Sequence, residues 1–329
     1  MSRNLSFTNH TQSPFMKQTK YDIIGDIHGY ASELKQLLTR LGYEETDGCF
    51  RHPSRKVIFL GDFIDRGPEI REVLRVVRAM VDNGAALAVM GNHEYNAIIY
   101  HTPDGQGGHL RSHTEKDSKN TKIHQATLDQ IAEPLPGEWA DHLAWFKSLP
   151  MFLEINGARI VHACWDNDHI ATLDGDNRLT DDLLLKSVVK GSREYKALDV
   201  LLKGREVRLP EGEKFTDKNG VVRKDMRVKW WLNPDGLTFH ELSMPESETV
   251  PKTAIPAEIT RDLGRGYEPT EPMVFVGHYW LPPQTPRPLA QNVACLDYSV
   301  AKDGMLVAYR WDGEKTLDET KFVQVNRQT

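Results

Sequence analysis

Six residues with metal-ligand chemistry sit at or just past the ends of apolar runs. They are Asp26 and His28 in Gly25-Asp26-Ile27-His28-Gly29, Asp62 in Gly61-Asp62-Phe63-Ile64-Asp65-Arg66-Gly67, Asn92 in Gly91-Asn92-His93-Glu94, His162 in Val161-His162-Ala163, and His278 in Val276-Gly277-His278. Carboxylate, carboxamide and imidazole are donors that borderline divalent cations accept. Two such ions need a shared ligand, and the Asp62 carboxylate suits that bridge. Asp26 and His28 are then expected on the first ion, and Asn92, His162 and His278 on the second. The neutral Asn92 amide limits the negative charge of the site and leaves room for an anion. Two ions about 3.5–4 Å apart lower the pKa of a shared water and hold phosphate oxygens. The expected reaction is therefore hydrolysis of a phosphate ester by direct attack of a bridging hydroxide.

Three further residues have no ligand role in this scheme. His93 follows Asn92 and is placed to protonate the leaving oxygen. Asp65 can orient that imidazole and raise its pKa. Arg66 offers a planar donor fork, so Arg66, Asn92 and His93 are the expected phosphate-binding groups.

Elements that alternate strand and helix must bring these residues together. Tyr21 to Ile24 and Val57 to Leu60 are apolar runs of strand length. Between them Leu34, Leu37, Leu38 and Leu41 form a helical stripe. A second stripe, Ile70, Val73, Leu74, Val77 and Val81, precedes a third strand over 85–90. Asp26 and Asp62 are 36 residues apart, and Asp62 and Asn92 are 30 apart. Each interval fits one strand–helix–strand unit, which sets the three ligands past the carboxyl ends of parallel strands. Asn156-Gly157 between apolar runs predicts a hairpin that delivers His162. Met273 to Val276, Val293 to Tyr298 and Met305 to Trp311 read as strands of a second sheet, with His278 at the end of the first.

The remaining stretches are less ordered in pattern. Residues 1–20 are polar and read as a flexible tail, and residues 21–329 as one domain with a loop-rich insertion at about 166–270. His101, His109, His113 and His124 lie in or beside an aperiodic segment and read as a solvated loop, or else as a rim that touches substrate. Trp139, Trp145 and Phe146 read as core. Trp230 and Trp231 fit either core or rim, and the charge run 223–229 reads as a solvated face.

Composition excludes other classes. The chain has 329 residues, 39% hydrophobic and 27% charged, which is ordinary for a soluble globular protein. A net charge of -6 gives no footprint for nucleic acid. No stretch approaches the roughly 20 apolar residues of a membrane-spanning helix. Three widely spaced cysteines form no disulfide framework, so a reducing cytoplasm is expected.

The ordered set GDIHG, GDFIDRG, GNHE, a lone His and GH resembles the calcineurin-like metallophosphoesterase superfamily, in particular its phosphoprotein-phosphatase branch. That branch includes serine/threonine phosphatases and bacterial diadenosine tetraphosphatases. The resemblance implies an α/β four-layer sandwich of two mixed β-sheets flanked by helices, with the active site at the carboxyl ends of the strands. It also implies two divalent ions, Mn first, with Fe or Zn as alternatives; Ni is a further possibility because it shares these ligand types. On motif match Asp26, His28, Asp62, Asn92, His162 and His278 take the ligand roles, and His93, Asp65 and Arg66 the catalytic ones. Eukaryotic members place His-Gly-Gly where this chain has His162-Ala163-Cys164, and Val-His-Ala resembles the bacterial nucleotide-type members. The family's second phosphate-binding Arg has no secure match; Arg227 and Lys229 are the candidates.

The leading functional expectation is a phosphatase acting on a phosphoprotein or a small phosphorylated metabolite. The alternatives are a dinucleoside tetraphosphatase that opens a phosphoanhydride, and a phosphodiesterase. A non-catalytic scaffold would have lost a ligand, and none is missing here.

Overall fold

The structure, a computed structural model, describes residues 19–114, 118–173, 175, 177–217 and 220–328. All but the last two residues of the expected tail lie outside them, and Lys20 already begins a strand.

In chain order, β1 (Lys20–Ile24) leads to helix α1 (Ala31–Arg40) and a small hairpin, β2 (Glu44–Thr46) and β3 (Cys49–Arg51). Then come β4 (Arg55–Phe59), α2 (Ile70–Asp82), β5 (Ala86–Ala88) and α3 (Asn92–His101). Helix α4 (Ser118–Thr127) runs into a π-turn over Leu128–Ala132, and α5 (Pro136–Ser148) starts at a proline, which needs no amide donor in a first helical turn. The hairpin of β6 (Phe152–Ile155) and β7 (Ala158–Val161) follows. Asn156 and Gly157 both hold positive φ, +52° and +84°, as the two-residue turn requires.

Residues 166–270 carry short helices and two ribbons, one of β8 (Glu206–Arg208) with β11 (Asp225–Arg227), the other of β9 (Phe215–Thr216) with β10 (Val222–Arg223). The chain then returns through β12 (Met273–Val276), β13 (Val293–Cys295), β14 (Asp297–Tyr298), β15 (Met305–Trp311) and β16 (Phe322–Asn326).

Two mixed sheets result. One runs β14-β15-β1-β4-β5, with β16 added on β15; the other runs β13-β12-β7-β6. In the first, β1, β4 and β5 are parallel, and in the second β7, β12 and β13 are parallel. The sheets pack through rings: Phe275 on β12 lies 5.2 Å from Tyr309 and 6.4 Å from Trp311 on β15.

The expected grouping of the last three strands needs correction. Met305–Trp311 does not join the second sheet; it pairs antiparallel with β1 in the first. The run from Val293 to Tyr298 breaks at Leu296 and serves both sheets, β13 in one and β14 in the other. The crossing needs close approach at Gly25, where any Cβ would collide with the Leu296 carbonyl. Apolar runs of this length look alike in either sheet, so only tertiary contact decides.

Trp139, Trp145 and Phe146 are buried, as expected of core residues. Trp230 and Trp231 are equally buried, and Trp230 donates its indole N–H to the Ala163 carbonyl at 3.2 Å. No helix among the described residues is long and apolar enough to cross a membrane.

Candidate active site

Each expected ligand follows the carboxyl end of a parallel strand: Asp26 and His28 after β1, Asp62 after β4, Asn92 after β5, His162 after β7 and His278 after β12. Both sheets thus point at one pocket. Asp62 lies at its centre. Its Oδ2 is 3.5 Å from His28 Nε2, and its Oδ1 is 3.4 Å from His162 Nε2. Asn92 Oδ1 lies 3.0 Å from His162 Nε2 and 2.7 Å from His278 Nδ1. Two donor groups emerge, His28–Asp62–His93 and Asp62–His162–His278, and Asp62 belongs to both.

Two residues sit differently from expectation. Asp26 turns its carboxylate to the His278 N–H, at 3.0 and 3.2 Å, and joins neither group directly. His93 instead completes the first group, although its Nδ1 is taken by Asp65 Oδ2 at 2.5 Å.

The backbone is shaped for this convergence. His28, Asp62, Asp65, Arg66 and His278 all hold φ between +46° and +70°. Non-glycine residues rarely do so, and each costs about 1–3 kcal/mol that surrounding contacts must offset. Glu94 is one such contact. Its buried carboxylate accepts from the backbone N–H of Gly91, Asp62 and Phe63 at 3.0, 2.8 and 2.8 Å. It ties the turn after β4 to the start of α3, where Gly61 and Gly91 touch backbone to backbone in a space no Cβ could share. Sequence reasoning missed Glu94, although a Glu at the third position of a helix is the signal of a capping box.

Electrostatics separate the imidazoles. Burial, with His93 4.7 Å away ring to ring, pushes His28 down to about 3 and keeps it neutral. His278 is likewise driven well down by burial and then by the Arg227 charge. His28 donates Nδ1–H to the Ile64 carbonyl at 3.0 Å, and His162 to the Leu60 carbonyl at 2.7 Å, so each turns its Nε2 to the pocket. Burial opposes charge on His162, but Asp62 outweighs it and raises its pKa. Burial also opposes charge on His93, but Asp62 and Asp65 outweigh it and raise its pKa. Burial alone would raise the Asp65 carboxyl; hydrogen bonds from His124 and His93 overcome this and hold it well below the carboxylate range.

His124 and Arg227 overturn two expectations. His124 is neither in a solvated loop nor on a rim: it is buried on α4 and meets Asp65 Oδ1 through Nδ1 at 2.8 Å. Nothing in its flanking sequence marks this, because the contact spans 59 positions. Arg227, within the run expected to be solvated, has its Nε buried without a hydrogen-bond partner. Its guanidinium lies 6.0 Å from the Tyr279 ring, next to His278. Exposed Arg66 stacks on Trp280 at 4.5 Å, and Trp280 lies 5.6 Å from His28. Asp297 holds the Trp280 N–H at 2.7 Å.

Comparison with known proteins shows the family. The calcineurin-like phosphoesterase family matches residues 19–237. This chain belongs to that family. The asymmetrical bis(5'-nucleosyl)-tetraphosphatase PrpE of Bacillus subtilis is 45% identical over 260 residues, 74% of this chain and 98% of that protein. Its counterpart in Halalkalibacterium halodurans is 47% identical over 75 residues, 22% of this chain, and the match spans only 30% of that relative. A protein serine/threonine phosphatase from Saccharomyces cerevisiae shares the fold, with a TM-score of 0.50, 14% identity and coverage of 96% of this chain and 82% of that one. The chain is thus a calcineurin-like enzyme, a hydrolase of phosphoesters.

Proposed function

We propose that this calcineurin-like enzyme hydrolyses dinucleoside tetraphosphates asymmetrically, at a two-ion centre held by Asp26, His28, Asp62, Asn92, His162 and His278. The donor set fits divalent ions. The Nε2 atom of His28 is buried with no hydrogen-bond partner, a costly state that a cation relieves. Mn²⁺ is the first choice, and Fe, Zn and Ni accept the same donors. When bound, such ions supply Lewis acidity to phosphoryl oxygens and a water of lowered pKa.

The chain's own residues do the rest. Arg66, steadied on Trp280, offers its fork to phosphate oxygens, with Asn92 and His93 beside it. Arg227, aimed at the pocket beside His278, adds a second cation. His93, tied to Asp65, is the group that delivers a proton to the leaving oxygen, while Glu94 fixes the turn that carries Asp62.

The observation that carries the substrate choice is a cavity of about 1200 Å³ that begins at Arg227 and Trp280. It is far larger than a phosphate group needs. Phe215, Met226 and Trp231 line it, with Arg287 and Lys302. Carboxylates, Glu206 and Glu246 among them, line it too, so the phosphates fit beside its cations and a nucleobase on its aromatic faces. The B. subtilis relative, named for that reaction, supports the same reading.

The 2.5 Å His93–Asp65 bond favours a second reading, hydrolysis of phosphate monoesters, whose poor leaving groups depend most on an acid. A Mn²⁺-supplemented panel separates the two. It compares diadenosine tetraphosphate, p-nitrophenyl phosphate, a phosphopeptide and a cyclic nucleotide. The first reading expects the highest kcat/KM on diadenosine tetraphosphate, with ATP and AMP as products. A phosphopeptide or aryl phosphate that exceeds it transfers the case to the second.

A further inference from the structure

The carboxylate behind His93 is held from both sides. Asp65 Oδ2 meets His93 Nδ1 at 2.5 Å, and Oδ1 meets His124 Nδ1 at 2.8 Å. Thr127 closes the arrangement: its hydroxyl accepts the Asp65 N–H at 3.0 Å and donates to Oδ1 at 2.5 Å. His124 and Thr127 are three residues apart on α4, hence on one helical face. All four residues are buried.

His124 is itself fixed at both nitrogens and on its ring. Its Nε2 lies 3.1 Å from His101 Nε2, and the rings of Tyr100 and Trp139 lie 5.0 and 5.8 Å away. Burial and then His124 push His101 down to about 4, so one hydrogen is shared between two imidazoles and not two. A carboxylate with a single imidazole partner can rotate about its terminal torsion, which is broad and roughly two-fold. With Oδ1 pinned by two donors from α4, Oδ2 has one direction left, and it faces His93.

We propose that His124, together with Thr127, is a positioning residue for the proton donor: it sets the Asp65 oxygen that meets His93 and the angle at which it does so. The inference rests on the reading of His93 as the acid. A tie that merely anchored α4 would slow every substrate alike. A tie that aims His93 affects substrates in proportion to their need for a proton.

The test compares phenyl phosphate with p-nitrophenyl phosphate, a poor and a good leaving group, using the Mn²⁺-loaded enzyme and four variants. His124→Ala should lower kcat on phenyl phosphate by about tenfold or more, inside the roughly 10²–10⁴ that a positioned acid supplies, with less loss on p-nitrophenyl phosphate and little change in KM. His124→Asn should restore most of the loss, because its amide nitrogen stands where Nδ1 stood. Thr127→Val should fall in the same direction and serves if His124→Ala does not fold. His93→Asn is the control. A control without leaving-group dependence defeats the acid reading itself, whereas a dependent control with flat His124 variants defeats only this inference. Proton NMR of the enzyme loaded with diamagnetic Zn²⁺ gives a readout that needs no turnover: the downfield His93 Nδ1–H signal should move in His124→Ala and return in His124→Asn. An unmoved signal overturns the proposal.

Discussion

The two sides of the pocket are built by opposite means. On one side, the turns after β1, β4 and β5 place Asp26, His28, Asp62 and Asn92 by backbone geometry, with left-handed residues and the Glu94 clamp between the turn after β4 and the start of α3. On the other, the excursion over 166–270 places Arg227 and Trp231 by long-range ties. Asp166, just past His162, receives Arg205 Nε and Nη2 at 2.9 and 2.6 Å, and Arg205 also reaches the Leu263 carbonyl at 2.5 Å. Arg205 thus pins the start of the excursion by an ion pair and its far end by a hydrogen bond. The donor-rich side is fixed by its motifs; the cavity side is fixed by where the excursion is tied down. Chemistry and specificity are therefore open to separate mutation.

The largest effect is expected on the first side. Asp62→Asn removes the carboxylate shared by both donor groups, and kcat/KM should fall by roughly 10³ or more, since a metal centre supplies several kcal/mol of transition-state stabilisation. Retained activity in a chelator-washed, Mn²⁺-restored preparation would break the comparison at its root. His93→Asn comes next, with a loss of roughly 10²–10⁴ in kcat, greatest on poor leaving groups.

Arg227→Ala tests the second side. A hydrogen bond to a charged group contributes about 1.5–3 kcal/mol, so kcat/KM should fall by roughly 10- to 100-fold, mostly through KM. Its bound metal should be unchanged. Loss of metal in Arg227→Ala would show that the two sides are not separable.

The smallest effect is on stability. Burial would raise the Asp166 carboxyl, but His169 and Arg205 outweigh it and hold it well below the carboxylate range. A depressed folded-state pKa contributes stability above the unfolded value of about 3.9 and loses it as the pH falls below that. Asp166→Asn should lower Tm at pH 7, by the equivalent of about 2 kcal/mol. The gap from wild type should narrow as pH drops from 5 towards 3. A gap that stays constant across that range would remove the ion pair from the account.

This difference between the two sides also explains what the sequence disclosed. The strands β1, β4 and β5, the hairpin at Asn156-Gly157 and the placement of the donor residues after them were legible, because each rests on a short pattern: an apolar run, a Gly, then a donor. Glu94 was readable from its place at the third position of α3 but went unread, whereas His124 and the sheet joined by Met305–Trp311 were not legible. His124 reaches Asp65 across 59 residues from a polar, aperiodic segment, and Arg227 sits in a charge run that looks solvated until β8 and β11 fold it inward. Such contacts are set by tertiary packing, which leaves no period or spacing to read.

Metal stoichiometry tests the central claim most directly. Apo protein titrated calorimetrically with Mn²⁺, with bound metal checked by elemental analysis, should take up two ions per chain. His28→Ala and His278→Ala should each retain one, and Asp62→Asn should bind neither tightly. Uptake of a single ion by the wild type, or two ions still bound after His278→Ala, would contradict a centre in which Asp62 joins two separate donor groups.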